Sequence, residues 1–207
     1  MKKYKLFAMG LAMAGALSFT SCADDYLDTA PTDAVSNVTI GQNMESLFLG
    51  LNGIHRQMIS QESGYQCMGG LGGMMYIMDI MADDITWLTN TWMKAAYLGW
   101  QCNTNNQNGY NTVFWRLYYQ WIMNANGLLE VLDGTDVSAL SGGDKALYEQ
   151  IRGEALVFRA FSHFQAVQTY ADADKAGGNN SQPGLPNRTV ENKVDQELAR
   201  STVEETY

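Results

Sequence analysis

Positive charge is scarce in this chain. Over 207 residues, 13 Lys and Arg stand against 22 Asp and Glu, a formal charge of −9. Lys2, Lys3 and Lys5 crowd the start with no acid beside them, so without those three cations the balance from Cys22 onward falls from −9 to −12. Nucleic acid and anionic membrane surfaces both need cationic patches, and no Lys/Arg cluster follows. Histidine is scarcer still, with only His55 and His163. The three cysteines, Cys22, Cys67 and Cys102, are not spaced as metal ligands. Zinc sites need several such groups to converge, so no metal and no cofactor is expected, and each lone histidine reads as a packing or surface residue. Clean period-two alternation is also missing, which argues against a sheet.

Paired catalytic carboxylates are missing too. Asp83 and Asp84 are adjacent, whereas glycoside hydrolysis needs two carboxyl groups facing each other across a bond. A hydroxyl hydrogen bond or a loop cap is the better reading, and no enzyme is expected. Asp172-x-Asp174 begins like a calcium loop, but Ala176 and Pro183 occupy positions where an EF-hand needs ligands.

What is present begins at the N-terminus. After the three lysines, Leu6–Leu17 is uncharged and apolar, and Ser18-Phe19-Thr20-Ser21 leads to Cys22. A basic start, a short apolar run and small residues make a secretory signal over 1–21. The run is too short to cross a bilayer, which takes about 20 apolar residues. Ending on cysteine, the segment resembles a bacterial lipobox, with Phe19 where leucine is usual. Cys22 is then the lipidated first residue, and acylation with two or more chains anchors stably. The other reading is a plain signal peptide with an incidental Cys22. Cys67 and Cys102 are either bridged, which an oxidising compartment permits, or simply buried thiols.

Residues 22–43 read as a polar tether. From Met44 to Ile59, apolar residues recur at helical spacing behind Asn43, a candidate N-cap. Gly50 and Gly53 weaken that helix or mark close packing. Gln61–Gly73 reads as a glycine-rich break. The methionines at 74, 75, 78 and 81 read as pliable core. Residues 87–109 read as irregular, with short helical pieces. Thr112–Leu132 and a segment capped by Asp144 and running to about Asp172 read as two long helices forming an antiparallel hairpin. Ala173–Arg188 reads as a loop. Ser201 and Glu204 stand at capping-box spacing for a further helix. With that start so close to Tyr207, 44–207 is expected to be the N-terminal part of a longer domain. The fold class is all-α, a tetratricopeptide-like helical repeat scaffold with long irregular loops.

Five pieces carry a resemblance. They are Ser21-Cys22 followed by Asp25-Tyr26-Leu27-Asp28-Thr29-x-Pro31; Trp115-x-x-x-Tyr119-x-x-Ile122-x-x-Ala125-Asn126; Arg152 through Phe164; Gly184-Leu185-Pro186; and Ser201-Thr202-Val203-Glu204-Glu205-x-Tyr207. In this order and spacing they resemble the SusD/RagB family of nutrient-binding outer-membrane lipoproteins. The resemblance implies a helical scaffold docked on a SusC-like TonB-dependent transporter, capturing a glycan without catalysis. It also implies a lipid-anchored, surface-exposed location, and Asp24-Asp25 resembles a surface-export signal. Sugars are held by aromatic faces against C–H groups, with amides and carboxylates bonding the hydroxyls. The resemblance points to an aromatic and an amide in the region before the Thr112 helix, hence Trp100 and Asn103 first. Trp92, Trp87 and Asp84 follow, with Trp87 and Trp92 equally readable as core. Trp115 and Trp121 lie on a helix face and read as core. The competing expectation is a helical-repeat lipoprotein scaffold that binds only protein partners.

Overall fold

The computed structural model describes residues 41, 43–61, 69–82, 109–189 and 197–207, with Gly109 and Tyr110 described by backbone alone. Helix α1 spans Met44–Ile59, and Asn43 caps it as expected, its Oδ1 accepting from the Ser46 N–H at 2.8 Å. Its inner stripe is Met44, Leu47, Leu51 and Ile54, all buried. Gly53 faces open space, so it is not a close-packing position.

Helix α2, Gly70–Met81, starts inside the stretch expected to be a break. Gly70 has φ +49°, and a Cβ there would collide with the Met58 carbonyl. The glycines are thus a tight entry into a helix rather than its interruption. Met74 is buried, Met78 and Met81 are half-buried, and Met75 is 59% exposed, so the methionine core is only partial.

Helix α3, Gly109–Asp133, and helix α4, Gly142–Tyr170, form the expected antiparallel hairpin. Cross-contacts run in opposite senses along them: the Tyr170 hydroxyl donates to the Asn111 carbonyl at 2.6 Å, and Arg152 pairs with Asp133. The cap of α4 is Ser141, three residues before the expected Asp144. Its Oγ accepts from the Asp144 N–H at 3.2 Å and donates to the Asp144 carboxylate at 2.7 Å. Trp121 is fully buried, while Trp115 is half-buried, stacked on Tyr119 at 4.5 Å and edge-on to Tyr170 at 5.1 Å.

Helix α1 packs on both α3 and α4, and α2 packs on α1. The His55 ring meets Phe158 edge-on at 4.7 Å. A last short helix, α5, covers Val203–Thr206. Its capping box is Thr202 with Glu205, one residue beyond the expected Ser201 with Glu204. Among the described residues there are no strands, only two isolated bridges, Gln61–Gly69 and Pro183–Thr202.

Candidate functional site

Asp84, Trp87, Trp92, Trp100 and Asn103 lie outside the described residues, as do Cys22, Cys67 and Cys102. The described geometry builds a different feature: a loop clamped to the hairpin, and a cleft beside it.

The clamp begins where α4 ends. Residues 180–185 run against 201–204, with Gly184 N–H to Ser201 O and Ser201 N–H to Leu185 O, both 2.7 Å. Val203 N–H to Gln182 O at 3.0 Å and Glu204 N–H to Asn180 O at 3.1 Å extend the pairing. A Cβ on Gly184 would lie 2.5 Å from the Thr202 carbonyl oxygen, so only glycine lets the two segments approach. Leu185, next to it, is fully buried in the core. Arg200 closes the end, donating to the Gly184 carbonyl at 2.6 Å and the Tyr170 carbonyl at 2.8 Å.

Polar side chains from the hairpin then hold the main chain of 186–189. Tyr119 donates to the Pro186 carbonyl at 3.0 Å, Asn126 to that of Arg188 at 3.1 Å, and Arg159 to that of Thr189 at 3.0 Å. Arg159 also donates to the Asn126 side-chain oxygen at 3.1 Å, locking donor and acceptor roles together. His163 sits within hydrogen-bond reach of the Arg159 carbonyl through Nδ1 at 3.0 Å and of the Arg188 N–H through Nε2 at 3.3 Å. A carbonyl needs a donor and an N–H needs an acceptor, so the ring must be neutral with its proton on Nδ1. Burial agrees, pulling the His163 pKa below its ordinary value. Burial likewise pushes the Tyr119 phenol up to about 12, with Arg188 and Arg200 opposing, so it stays a donor.

These side chains belong to the matched motifs, but their partners lie far along the chain. Local spacing gave no sign of the clamp. The one available signal was polar residues, Asn126 and His163, on an otherwise apolar helix face.

Between α4, residues 187–189 and residues 205–207 opens a cleft of about 730 Å³. Phe164 and Tyr207 meet edge-on across it at 5.9 Å and are 44% and 57% exposed. A second, smaller cavity of about 450 Å³ adjoins it at Val157, between His55, Glu154 and Phe158. The His55 Nε2 stands 2.9 Å from Glu154 there, and hydrogen bonds from Gln150 and then His55 lower the Glu154 pKa. Among the described residues, no three His, Cys, Asp or Glu side chains come together as a metal site.

A family model for SusD-like proteins, described as starch-binding and associating with the outer membrane, matches residues 25–207. Two solved structures are similar in fold. One is a SusD-like carbohydrate binding protein from Bacteroides vulgatus, at TM-score 0.63 and 22% identity, aligned over 79% of this chain and 33% of that one. The other is a SusD superfamily protein from Bacteroides thetaiotaomicron, at TM-score 0.59 and 20% identity, aligned over 79% and 34%. The chain thus spans about a third of the length of the structures it matches. No curated protein sequence matches it significantly.

Proposed function

Because the chain belongs to the SusD-like family, we propose that it captures an oligo- or polysaccharide at the outer membrane and passes it to a TonB-dependent transporter. The single observation behind this is the family match, which spans 25–207 and carries a description of starch binding at the outer membrane. In this reading Cys22 carries the lipid anchor and the folded part stands outside the cell. Binding makes and breaks no covalent bond. Indole faces at Trp100, Trp92 and Trp87 stack on sugar C–H groups, and Asn103 and Asp84 take the hydroxyls.

Calorimetry with oligosaccharides tests the site. In the polypeptide as its gene encodes it, Trp100→Ala is expected to weaken binding by about 1–3 kcal/mol, the scale of a contact anchor. Wild-type affinity in that variant would remove Trp100 from the site. Cys22→Ala is expected to move the protein to soluble fractions and abolish labelling by a palmitate analogue. Labelling that persists would refute the anchor.

The second reading, a scaffold for protein partners alone, is favoured by the exposed apolar residues Leu156, Val157 and Phe164 on α4. Retained transporter binding with no saccharide binding would select it. Release of reducing sugar would overturn the non-catalytic assignment.

A further inference from the structure

His163 is a buried titratable group that glycan capture does not use. It is 9% exposed, and its ring bridges α4 and the 186–189 loop. Its two contacts respond differently to a proton. The Arg159 carbonyl at Nδ1 needs a donor, and a charged ring still supplies one. The Arg188 N–H at Nε2 needs an acceptor, and a charged ring has none. Protonation therefore leaves the ring tied to its own helix and sets N–H against N–H on the loop side.

The surroundings amplify that change. On α4 itself stands the Arg159 guanidinium, and its charge adds to burial in holding the His163 pKa down. The loop brings Arg188, and its backbone is the group in contact. From α3 comes the Tyr119 ring, edge-on at 6.4 Å and neutral with a pKa of about 12. Glu205 and Tyr207 of the C-terminal segment line the same cleft as His163. The Glu205 Oε2 is taken by the Thr202 N–H and hydroxyl at 2.9 and 3.0 Å, and those bonds keep the carboxyl ionised to lower pH. The one group that drives the ring's pKa by its charge is thus a cation.

That cation is itself a grip on the loop. The Arg159 Nη1 donates to both the Thr189 carbonyl and the Asn126 side chain. A positive ring beside it pushes on both bonds, so one proton acts on Arg188 directly and on Thr189 through Arg159. Upstream, the attachments carry no group that titrates with His163. They are Tyr119 to the Pro186 carbonyl, Asn187 to the Glu205 carbonyl, and the pairing of Gly184 with Ser201. The loop thus has a fixed end and a releasable end. Thr189 and His163 both border the cleft, so water reaches the ring once the loop lifts.

We propose that residues 188–189 are an acid-released latch: a proton taken from solvent at the His163 Nε2 detaches them from the hairpin while 184–187 and both helices stay in place. The latch is shut above the unfolded histidine value near 6.5 and opens as pH falls through the lower folded value. It is a local opening, distinct from unfolding of the hairpin.

The test is hydrogen exchange at single-amide resolution in the polypeptide as its gene encodes it. Each rate is divided by that of an unstructured peptide at the same pH, which removes the intrinsic pH dependence. Protection at Arg188 and Thr189 is expected to fall at least about threefold from pH 7 to pH 5, while the middle of α3, Ser201 and Val203 keep theirs. His163→Gln offers an amide oxygen in place of Nε2 and cannot take up the proton, so its protection should be flat over this range. Circular dichroism checks that the variant folds. In the wild type, the His163 ring signal followed by NMR should titrate with the same midpoint as the loss of protection, a readout that does not depend on the variant. Constant protection in the wild type would overturn the proposal. A loss shared equally by α3 would make the event global unfolding and overturn it. The same fall in His163→Gln, or two separate midpoints, would assign the proton to another group and overturn it equally.

Discussion

Gly184→Ala is the sharpest perturbation of the clamp. The added methyl would sit 2.5 Å from the Thr202 carbonyl oxygen and 2.6 Å from the Thr206 Oγ1. Ordinary carbon–oxygen contact needs close to an ångström more, and the nearest obstacle is backbone, which cannot swing aside. The two segments must separate, and the two shortest bonds between them, Gly184 N–H to Ser201 O and Ser201 N–H to Leu185 O, are the first affected. Two net backbone hydrogen bonds at about 1 kcal/mol each, with some exposure of Leu185, give about 2–3 kcal/mol. For a chain of this size that is a fall of about 5–10 °C in Tm. Hydrogen exchange should speed up at Ser201 and Val203 while the middle of α3 stays protected. An unchanged melting curve with unchanged exchange at those amides would refute the reasoning.

Three further outcomes are expected. Phe158→Ala removes a ring that is 8% exposed and should cost about 3–5 kcal/mol; half-buried Phe161→Ala should cost less, about 1–2 kcal/mol, and urea midpoints compare them. Helical spacing alone treats these two rings as equals, so a larger loss at Phe161 would reverse the assigned helix face. His163 is held neutral with a lowered pKa. Its contribution is therefore fully present above the unfolded value near 6.5 and is lost as pH falls through the lower folded value. Urea midpoints should drop more steeply from pH 7 to pH 5 in the wild type than in His163→Leu, and parallel profiles would count against the neutral ring. Asn43→Ala removes the acceptor for the Ser46 N–H and should cost about 1 kcal/mol by urea denaturation, with no loss if the cap is frayed in solution.

The long hairpin was legible because α3 and α4 each repeat their apolar stripe over many turns, and Asn43 announced α1 through simple cap chemistry. Two other caps were displaced for a physical reason. Ser141 and Asp144 bond each other, so either reads as the start, and at α5 the neighbours Ser201 and Thr202 each have a glutamate three residues on. Helix α2 was hidden because glycine is read as punctuation, whereas Gly70 here is the turn that lets the helix begin. The clamp was not legible at all. Its contacts join Tyr119, Asn126 and His163 to residues that folding alone brings near. The site residues expected from the resemblance lie outside the described residues.

The clamp has a consequence for how such a protein can diversify. Tyr119, Asn126, Arg159 and His163 all grip main-chain atoms of the 186–189 loop. A grip on peptide groups is indifferent to what the gripped residues display. The side chain of Thr189 can be exchanged without dissolving these four attachments, whereas the charge of Arg188 also acts on the Tyr119 phenol. The loop is thereby a socket of constant shape with replaceable fittings, able to acquire new surface chemistry while the helices beneath it keep one sequence.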